Sequence, residues 1–234
     1  MNAVRPRQIV LAAIIALPAL PAAAGAEPEI GSRLESGPRG AVTPQEREDQ
    51  ATARRVMRTY AACLLDNRPR TAEAIVAAPY GGEEQAAIVR RRVQGAEDCM
   101  GRTGLSMRFP TESLAGAIGE AGIRARFSTA DLAPVAALAD EDVARLGLGP
   151  RNGYEDIAAC IARRDPHAVR ALVLTEPATA EERTARRPVM TQVGACVNQG
   201  QSLRVDQVGL RAMVAVALYR LLDGLSPPPG RRRN

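Results

Sequence analysis

The first strong pattern of hydrophobic and polar positions begins at Thr43 and predicts a helix. Thr43 is a capping residue type, Pro44 suits a first turn, and Glu46 completes the Thr-x-x-Glu pattern of a capping box. Apolar residues then recur at helical spacing, at Val56, Tyr60, Cys63 and Leu64. We therefore predict a helix that ends near Asn67, before Pro69.

Three further helices are predicted before residue 127. A short second helix turns three apolar residues to one face, namely Ala72, Ile75 and Val76. A third helix is predicted over 83–100, followed by a brief extended segment over 105–109 and a fourth helix over 111–126. The fourth helix is the least certain of these predictions, because it contains Gly116, Gly119 and Gly122. Each glycine lowers the stability of a helix by up to about 1 kcal/mol.

Most of the segment over 61–108 occurs a second time later in the chain. The anchor Ala61-Ala62-Cys63-Leu64 returns 97 positions later as Ala158-Ala159-Cys160-Ile161. Each of the two cysteines is followed by another after the same interval of 36 residues, at Cys99 and Cys196. After one deleted residue the match continues, with Ser106-Met107-Arg108 against Ser202-Leu203-Arg204. A duplicated helical unit is the main architectural signal of the chain.

The second copy predicts the same order of helices. Asp165-Pro166 starts its second helix, Thr179-x-x-Glu182 is another capping box, and Pro188 should bend its third helix or delay the regular part. The last helix, over about 206–222, has the strongest amphipathic pattern, with one apolar face made of Leu210, Met213, Val214, Ala217, Leu218 and Leu221. We predict an all-α fold of two tandem similar units of three or four helices. The units span 43–127 and 154–225, the connector is 128–153, and 226–234 is a disordered basic tail.

The first 26 residues have the order of a secretory signal peptide. Arg5 and Arg7 precede an apolar run too short for a membrane span, and Ala24-Gly25-Ala26 resembles a cleavage site. We expect cleavage after Ala26, a flexible leader over 27–42, and a soluble periplasmic or secreted product with no membrane span. The alternative is an uncleaved membrane anchor.

Four cysteines in an exported chain predict two disulfides. Three pairings are possible, but the equal spacing and the duplication favour Cys63 with Cys99 and Cys160 with Cys196. The alternatives are a redox pair or a metal site. The chain has neither a C-x-x-C pair nor the paired spacings with nearby histidines that zinc requires, so we predict structural disulfides.

The net charge of +5 suggests that the protein binds nucleic acid, but the distribution of the charged residues does not support this. Without the two signal-peptide arginines and the three of the tail, 26 basic residues face 26 acidic ones. With that balance, and with only 3% aromatic residues, the footprint of a nucleic-acid binder is missing. All basic residues are arginines, a bias that makes arginine counts poor indicators of function.

Three sites are candidates for chemistry. His167 is the only histidine, and it begins a helix, so it is either a surface residue or the base of a catalytic site. Glu112-Ser113 is similar to the Glu-Ser start of the lytic transglycosylase motif, whose later glycine- and glutamine-bearing motifs are missing here. Glu112 is more simply a first-turn acid. Arg108 and Arg204 are duplicated, and they either bind an anion or hold helix-end carbonyls.

The chain resembles a group of exported helical proteins of high-GC bacteria that has no known activity. The resemblance rests on the two cysteines, a Pro-containing second helix, a Leu-Arg segment and the ending Ala217-Leu218-Tyr219-Arg220. In the first copy, this ending has drifted to Gly122-Ile123-Arg124-Ala125. The resemblance implies no function.

The sequence favours a non-enzymatic binding or structural protein of the cell envelope, whose partner is an envelope protein or polymer. A groove between the copies, lined by Arg108 and Arg204, would receive an anionic ligand. The alternative is a cell-envelope hydrolase of glycosidase type, with a single pocket containing His167 or Glu112. No phosphate loop, dinucleotide fingerprint or metal motif occurs, so no cofactor or metal is expected.

Overall fold

A computed structural model describes residues 43–93, 99, 109–198 and 203–226. Ten helices and no strand occur among these residues, which confirms the all-α prediction. The helices are α1 (Pro44–Asn67), α2 (Pro69–Ala77), α3 (Glu83–Arg92), α4 (Thr111–Arg126), α5 (Leu132–Ala136), α6 (Asp140–Arg145), α7 (Gly153–Arg164), α8 (Pro166–Leu174), α9 (Ala180–Cys196) and α10 (Gln207–Leu225). Several predicted segments lie outside the described residues: the signal peptide, the leader, residues 94–98 and 100 of the third helix, residues 105–108 of the extended segment, and the tail beyond 226.

The helix starts form as their side chains predict. In α1, the Thr43 hydroxyl accepts a hydrogen bond from the Glu46 amide at 3.2 Å. The Glu46 carboxylate accepts one from the Thr43 amide at 2.8 Å, which completes the capping box. In α8, the Asp165 carboxylate accepts from the Ala168 amide at 2.8 Å. The bonds from the Glu46 and Ala168 amides satisfy first-turn donors that have no partner within the helix.

Both predicted disulfides are confirmed. Cys63 of α1 is bonded to Cys99, with their Cα atoms 5.6 Å apart. Cys160 of α7 is bonded to Cys196, the last residue of α9, with a Cα–Cα distance of 5.7 Å. Each bond closes a loop of 36 residues, so each constrains the unfolded chain.

Helix starts recur at the offset of the sequence repeat. The starts of α8 and α9 follow those of α2 and α3 by 97 residues, and α10 starts 96 residues after α4, in step with the single deletion. One hydrophobic core nevertheless runs through both halves, and all the described residues belong to one compact unit. The division into two tandem similar units therefore stays a prediction.

The three glycines of α4 lie against α10. A Cβ atom on Gly116 would lie 2.5 Å from the Cα atom of Ala212, and one on Gly119 would lie 3.0 Å from the Ala215 carbonyl oxygen. The residue numbers of the contacting pairs increase together along the two helices, so α4 and α10 run parallel. The glycines cost helix propensity, but they allow the two backbones to approach closely.

The prediction of a one-faced α10 is wrong. Among its buried residues is an unbroken run from Leu210 to Tyr219. Because α4 packs on residues outside the predicted apolar face, α10 is a central core helix rather than a surface one. Two smaller departures occur elsewhere. The sequence did not predict α5, and α9 is regular from Ala180 onward, so Pro188 does not delay it.

The turn before α3 and the turn before α9 each contain a residue with positive φ. These are Gly81, at +70°, and Ala178, at +66°, again 97 positions apart. Their amides donate to the Gln85 and Glu182 side chains at 3.0 and 2.7 Å. The two turns share one geometry, but only one of them has the glycine that this geometry favours.

Exchanging these residue types should change stability in opposite directions. Ala178 is exposed and has a left-handed backbone, so Ala178→Gly should stabilise the protein by about 0.5 kcal/mol. Gly81→Ala should destabilise it by about 1 kcal/mol, although the new Cβ atom would fit, because the Glu112 side chain would be 3.6 Å away. Urea denaturation of both variants measures this, and a loss of stability in Ala178→Gly would contradict it.

Candidate functional site

Arg211 is the most buried charged residue described, with 2% of its surface exposed. Its guanidinium binds the Glu120 carboxylate in a bidentate pair at 2.6 and 2.7 Å and the Glu182 carboxylate at 3.0 Å. It also donates to the Thr175 hydroxyl and to the carbonyl oxygens of Val173 and Thr175, at 2.9–3.1 Å. All three guanidinium nitrogens are therefore engaged.

Glu182 connects Arg211 to the first half of the chain. Its carboxylate accepts two hydrogen bonds from Arg54, one of them at 3.0 Å, and a third from the Ala178 amide at 2.7 Å. Only the Thr179 half of the predicted capping box forms, because the Glu182 carboxylate faces these partners instead. Burial alone would raise the pKa of Glu182, but the hydrogen bond and charge of Arg54, the Ala178 amide and Arg211 lower it.

These two arginines and two glutamates form a balanced network that joins α1, α4, α9 and α10. Burial alone would lower the pKa of Arg211, but the two carboxylates raise it above its usual range. The protein itself supplies the charge and the acceptors that Arg211 needs. The network therefore ties these four helices together.

Glu155 forms the centre of a second buried cluster. Its carboxylate accepts from the Arg151 side chain at 3.0 and 2.7 Å, from Arg220 at 2.9 Å, and from the amides of Arg151 and Tyr80 at 2.8 and 2.9 Å. Burial would raise the pKa of Glu155, but the hydrogen bonds of Arg151, the Tyr80 amide and the charge of Arg220 lower it. One carboxylate lies between two guanidinium groups, so the cluster has one surplus positive charge.

An open cleft lies beside this cluster, and we call it the Arg220 cleft. The space that it encloses is small, about 20 Å³, which is room for one or two water molecules. Helices α7 and α10, the segment before α7, and the turn before α3 line it, through Tyr80, Leu148, Pro150, Tyr154, Glu155, Ala158, Ala159, Met213, Val216, Ala217, Arg220 and Leu221. Its wall is mainly apolar, with a few polar groups, as in ligand sites generally.

Arg220 differs from Arg211 in having unused donors. Its Nη1 atom donates to Glu155, but Nε and Nη2 have no acceptor among the described residues. Burial lowers the pKa of Arg220, and the attraction of Glu155 only partly offsets that effect. The Arg220 side chain is 16% exposed. Its guanidinium group lies at the edge of the cleft and has one carboxylate partner, Glu155, which leaves donors free for a further anion.

Tyr80 adds a hydroxyl group to the cleft. The residue is 7% exposed, and its hydroxyl has no hydrogen-bond partner among the described residues. Burial raises its pKa well above the usual range, and the negative charges of Glu112 and Asp206 raise it further. The hydroxyl therefore stays protonated and able to donate.

The candidate residues predicted from the sequence do not form one site. Arg108 lies outside the described residues, and Arg204 is exposed with no partner among those that are described. His167 is exposed in the first turn of α8, and Glu112 is half-buried in the first turn of α4. Within the described part of the chain, no hydrogen bond or ion pair joins either residue to another titratable group.

Sequence reasoning missed Arg211, Glu155 and Arg220 as buried charges. Arg211 lies at the start of a strongly apolar run, and a lone charge in such a helix signals a buried pair. The offset of 96 residues between α4 and α10 also pairs Arg220 with Arg124, so the ending of the copies is better matched one residue earlier than in the sequence alignment.

The described helices include none that is long and apolar enough to cross a bilayer. In the same residues, no three histidine, cysteine or acidic side chains converge as metal ligands. Comparison with protein-family models, with curated proteins and with solved structures found no match to this chain.

Proposed function

We propose that this chain is an exported, non-enzymatic binding protein of the cell envelope, with its ligand in the Arg220 cleft. The observation that carries the proposal is the pair of unused donors on Arg220 beside apolar side chains. A binding site needs a few unsatisfied polar groups in a largely apolar wall. The cleft has that composition.

Export is supported by two further features. Two disulfides are typical of an oxidising environment, and the N-terminal segment has the order of a signal peptide. A protein of the periplasm meets envelope polymers, other envelope proteins and their small components. The ligand belongs to that set.

The alternative is a glycosidase that uses Glu112. One observation favours it, because the Glu112 side chain lies beside the turn that follows Tyr80, 3.6 Å from where a Cβ atom of Gly81 would be. Glu155 is not a suitable general acid, since its arginine partners lower its pKa. Hydrolysis of envelope glycans by the wild-type protein, lost in Glu112→Gln, would replace the binding proposal by this one.

Binding can be tested with a variant that fills the cleft and leaves its charges intact. Ala159 lines the cleft and is partly exposed, so Ala159→Leu should block it. Ala62, the equivalent residue of the first copy, is exposed, and Ala62→Leu is the matched control. Each protein is incubated with the low-molecular-weight fraction of an envelope extract and examined by native mass spectrometry.

The expected result is an added mass on the wild type and on Ala62→Leu that is missing from Ala159→Leu. Circular dichroism melting checks that both variants stay folded. An added mass on none of the proteins, or the same one on all three, would contradict binding in the Arg220 cleft.

A further inference from the structure

We infer that the two halves of this chain pair as in a two-fold symmetric dimer, and that each half also pairs with the complementary half of a second copy of this chain. The first half spans 44–126 and the second spans 132–225, because α5 contacts α7, α8 and α10. The hinge between them is 127–131. This pairing does not depend on the ligand proposed above. Three features support it: the residues that meet between α4 and α10, the contacts beside that pair, and the positions of the disulfides.

Helices α4 and α10 meet at equivalent residues. Gly116 lies against Ala212 and Gly119 lies against Ala215. The members of each pair are 96 positions apart, which is the offset between the two helices. The helices run parallel, so each presents the same face to the other. A helix that meets its own copy in this way is related to it by a two-fold axis along the pair, as in the isologous interface of a symmetric dimer.

The contacts beside this pair are reciprocal. Helix α10 contacts α2, and α4 contacts α8, which is the equivalent of α2. The last residues of α2 and α8 are Ala77 and Leu174, 97 positions apart. Arg151 donates to the Ala77 carbonyl oxygen at 2.6 Å, and Arg124 donates to that of Leu174 at 3.0 Å. Each half therefore supplies an arginine to a helix end of the other half.

A glycine on one side of the contact decides which halves can pair. A Cβ atom on Gly116 would lie 2.5 Å from the Cα atom of Ala212, so two alanines cannot face each other at this backbone distance. Two second halves would place Ala212 against Ala212. A first half and a second half place glycine against alanine, so pairing between unlike halves is favoured over pairing of two second halves.

The hinge is the covalent link between the halves. The chain has four cysteines, and both disulfides close within a half. In the hinge, the Ser128 amide and hydroxyl donate to the Asp131 carboxylate at 2.6 and 2.8 Å, which forms an exposed turn. An exchange between two chains rebuilds the contacts between unlike halves and changes mainly this turn, which is the condition for domain swapping.

Exchange would leave the Arg220 cleft complete but shared between two chains. Tyr80 belongs to the first half, whereas Glu155 and Arg220 belong to the second. The Tyr80 amide donates to the Glu155 carboxylate at 2.9 Å. In the dimer, one protomer would supply Tyr80 to a cleft, and its partner would supply Glu155 and Arg220.

The test uses the full chain with a protease site inserted between Thr129 and Ala130, which are both exposed in the hinge. After the site is cut, with the disulfides intact, the two halves should stay together in one particle. Cut protein is mixed with isotope-labelled cut protein, unfolded in urea and refolded without thiol. Native mass spectrometry should find that about half of the particles are hybrids with one labelled half, as free pairing between copies requires. The uncut mixture should give no such particle.

Two glycine substitutions check that the pairing uses the contact of α4 with α10. Gly116→Ala places a Cβ atom against Ala212 and should weaken reassociation of the cut halves about 10- to 100-fold through overpacking. Gly194→Ala, near the end of α9, adds the same atom where nothing lies within 4 Å, and should not weaken reassociation. A lack of hybrids from the unsubstituted protein, or equal reassociation of the two variants, would overturn the inference.

The uncut chain provides a second test. A short hinge holds its two halves at an effective concentration of about 1 mM, so refolding near that protein concentration should yield a dimer, detected by light scattering. Cutting the hinge of this dimer should halve its mass, because each pair of halves becomes a separate particle. A dimer that keeps its mass after cutting, or a protein that stays monomeric at this concentration, would contradict the exchange.

Discussion

Replacing Glu182 with alanine is expected to destabilise the protein by about 3–5 kcal/mol, because it leaves the buried guanidinium of Arg211 with one carboxylate instead of two. Arg54 loses the same partner, and the Ala178 amide loses its acceptor. Urea denaturation followed by circular dichroism measures the change. The matched control is Glu176→Ala, which breaks the Arg58 pair of a glutamate whose side chain is 59% exposed.

The control should cost less than about 1 kcal/mol, as exposed ion pairs do. Equal effects of the two substitutions would show that the Arg211 network contributes no more than a surface pair. A quadruple change to apolar residues of similar size at Arg54, Glu120, Glu182 and Arg211 is expected to be far milder than Glu182→Ala. Removing all the charges leaves none of them buried and unpaired.

The same network predicts how stability depends on pH. The pKa of Glu182 is lower in the folded protein than in the unfolded chain, where glutamate titrates near about 4.3. The stability that Glu182 contributes is therefore present at neutral pH and is lost as the pH falls below about 4.3 towards the folded-state value. Glu155 has the same sign of shift, so acid unfolding should become shallower in Glu182→Ala but not disappear.

Removing the second disulfide is the other change with a large expected effect. The double substitution Cys160→Ala/Cys196→Ala opens a loop of 36 residues and should cost about 4 kcal/mol through the entropy of the unfolded chain. Denaturant titration of the oxidised wild type and the variant, without added thiol, measures this difference. The double variant leaves no free thiol to exchange with the disulfide of Cys63 and Cys99.

A control for this experiment is the reduced wild type. It should lose more stability than the double variant, because the Cys63–Cys99 bond opens as well. A change below about 1 kcal/mol in the variant would mean that the chain retains compact structure around Cys160 when unfolded. If adding reductant to the double variant lowers its stability no further, the Cys63–Cys99 bond does not stabilise the protein.

Local signals predicted most of the helices and both disulfides. The capping box at Thr43 and the stripe of Ala72, Ile75 and Val76 each depend on neighbours in the sequence, so the pattern alone was enough. The cysteine pairing followed from equal spacing. Interactions between neighbours along one helix are set by residue type and by a spacing of three or four positions.

Long-range contacts account for what the sequence did not predict. The burial of α10 on all sides depends on the glycines of α4, which lie almost one hundred residues away in the chain. Glu182 was predicted as a cap because Thr179 is its local partner, but Arg54 and Arg211 compete for its carboxylate. The cleft beside Arg220 is formed by segments from both halves, so no single stretch of sequence contains its pattern.

The close packing of α4 against α10 also sets an order of events during synthesis. Helix α10 is the last helix described, and it supplies the surface on which Gly116, Gly119 and Gly122 lie. The face of α4 that packs on α10 therefore has no partner until nearly the whole chain has left the ribosome. The first disulfide can close before that point, whereas the shared core cannot. Chains cut short before Gln207 would expose that face permanently, which makes them substrates for chaperones and proteases rather than smaller folded proteins.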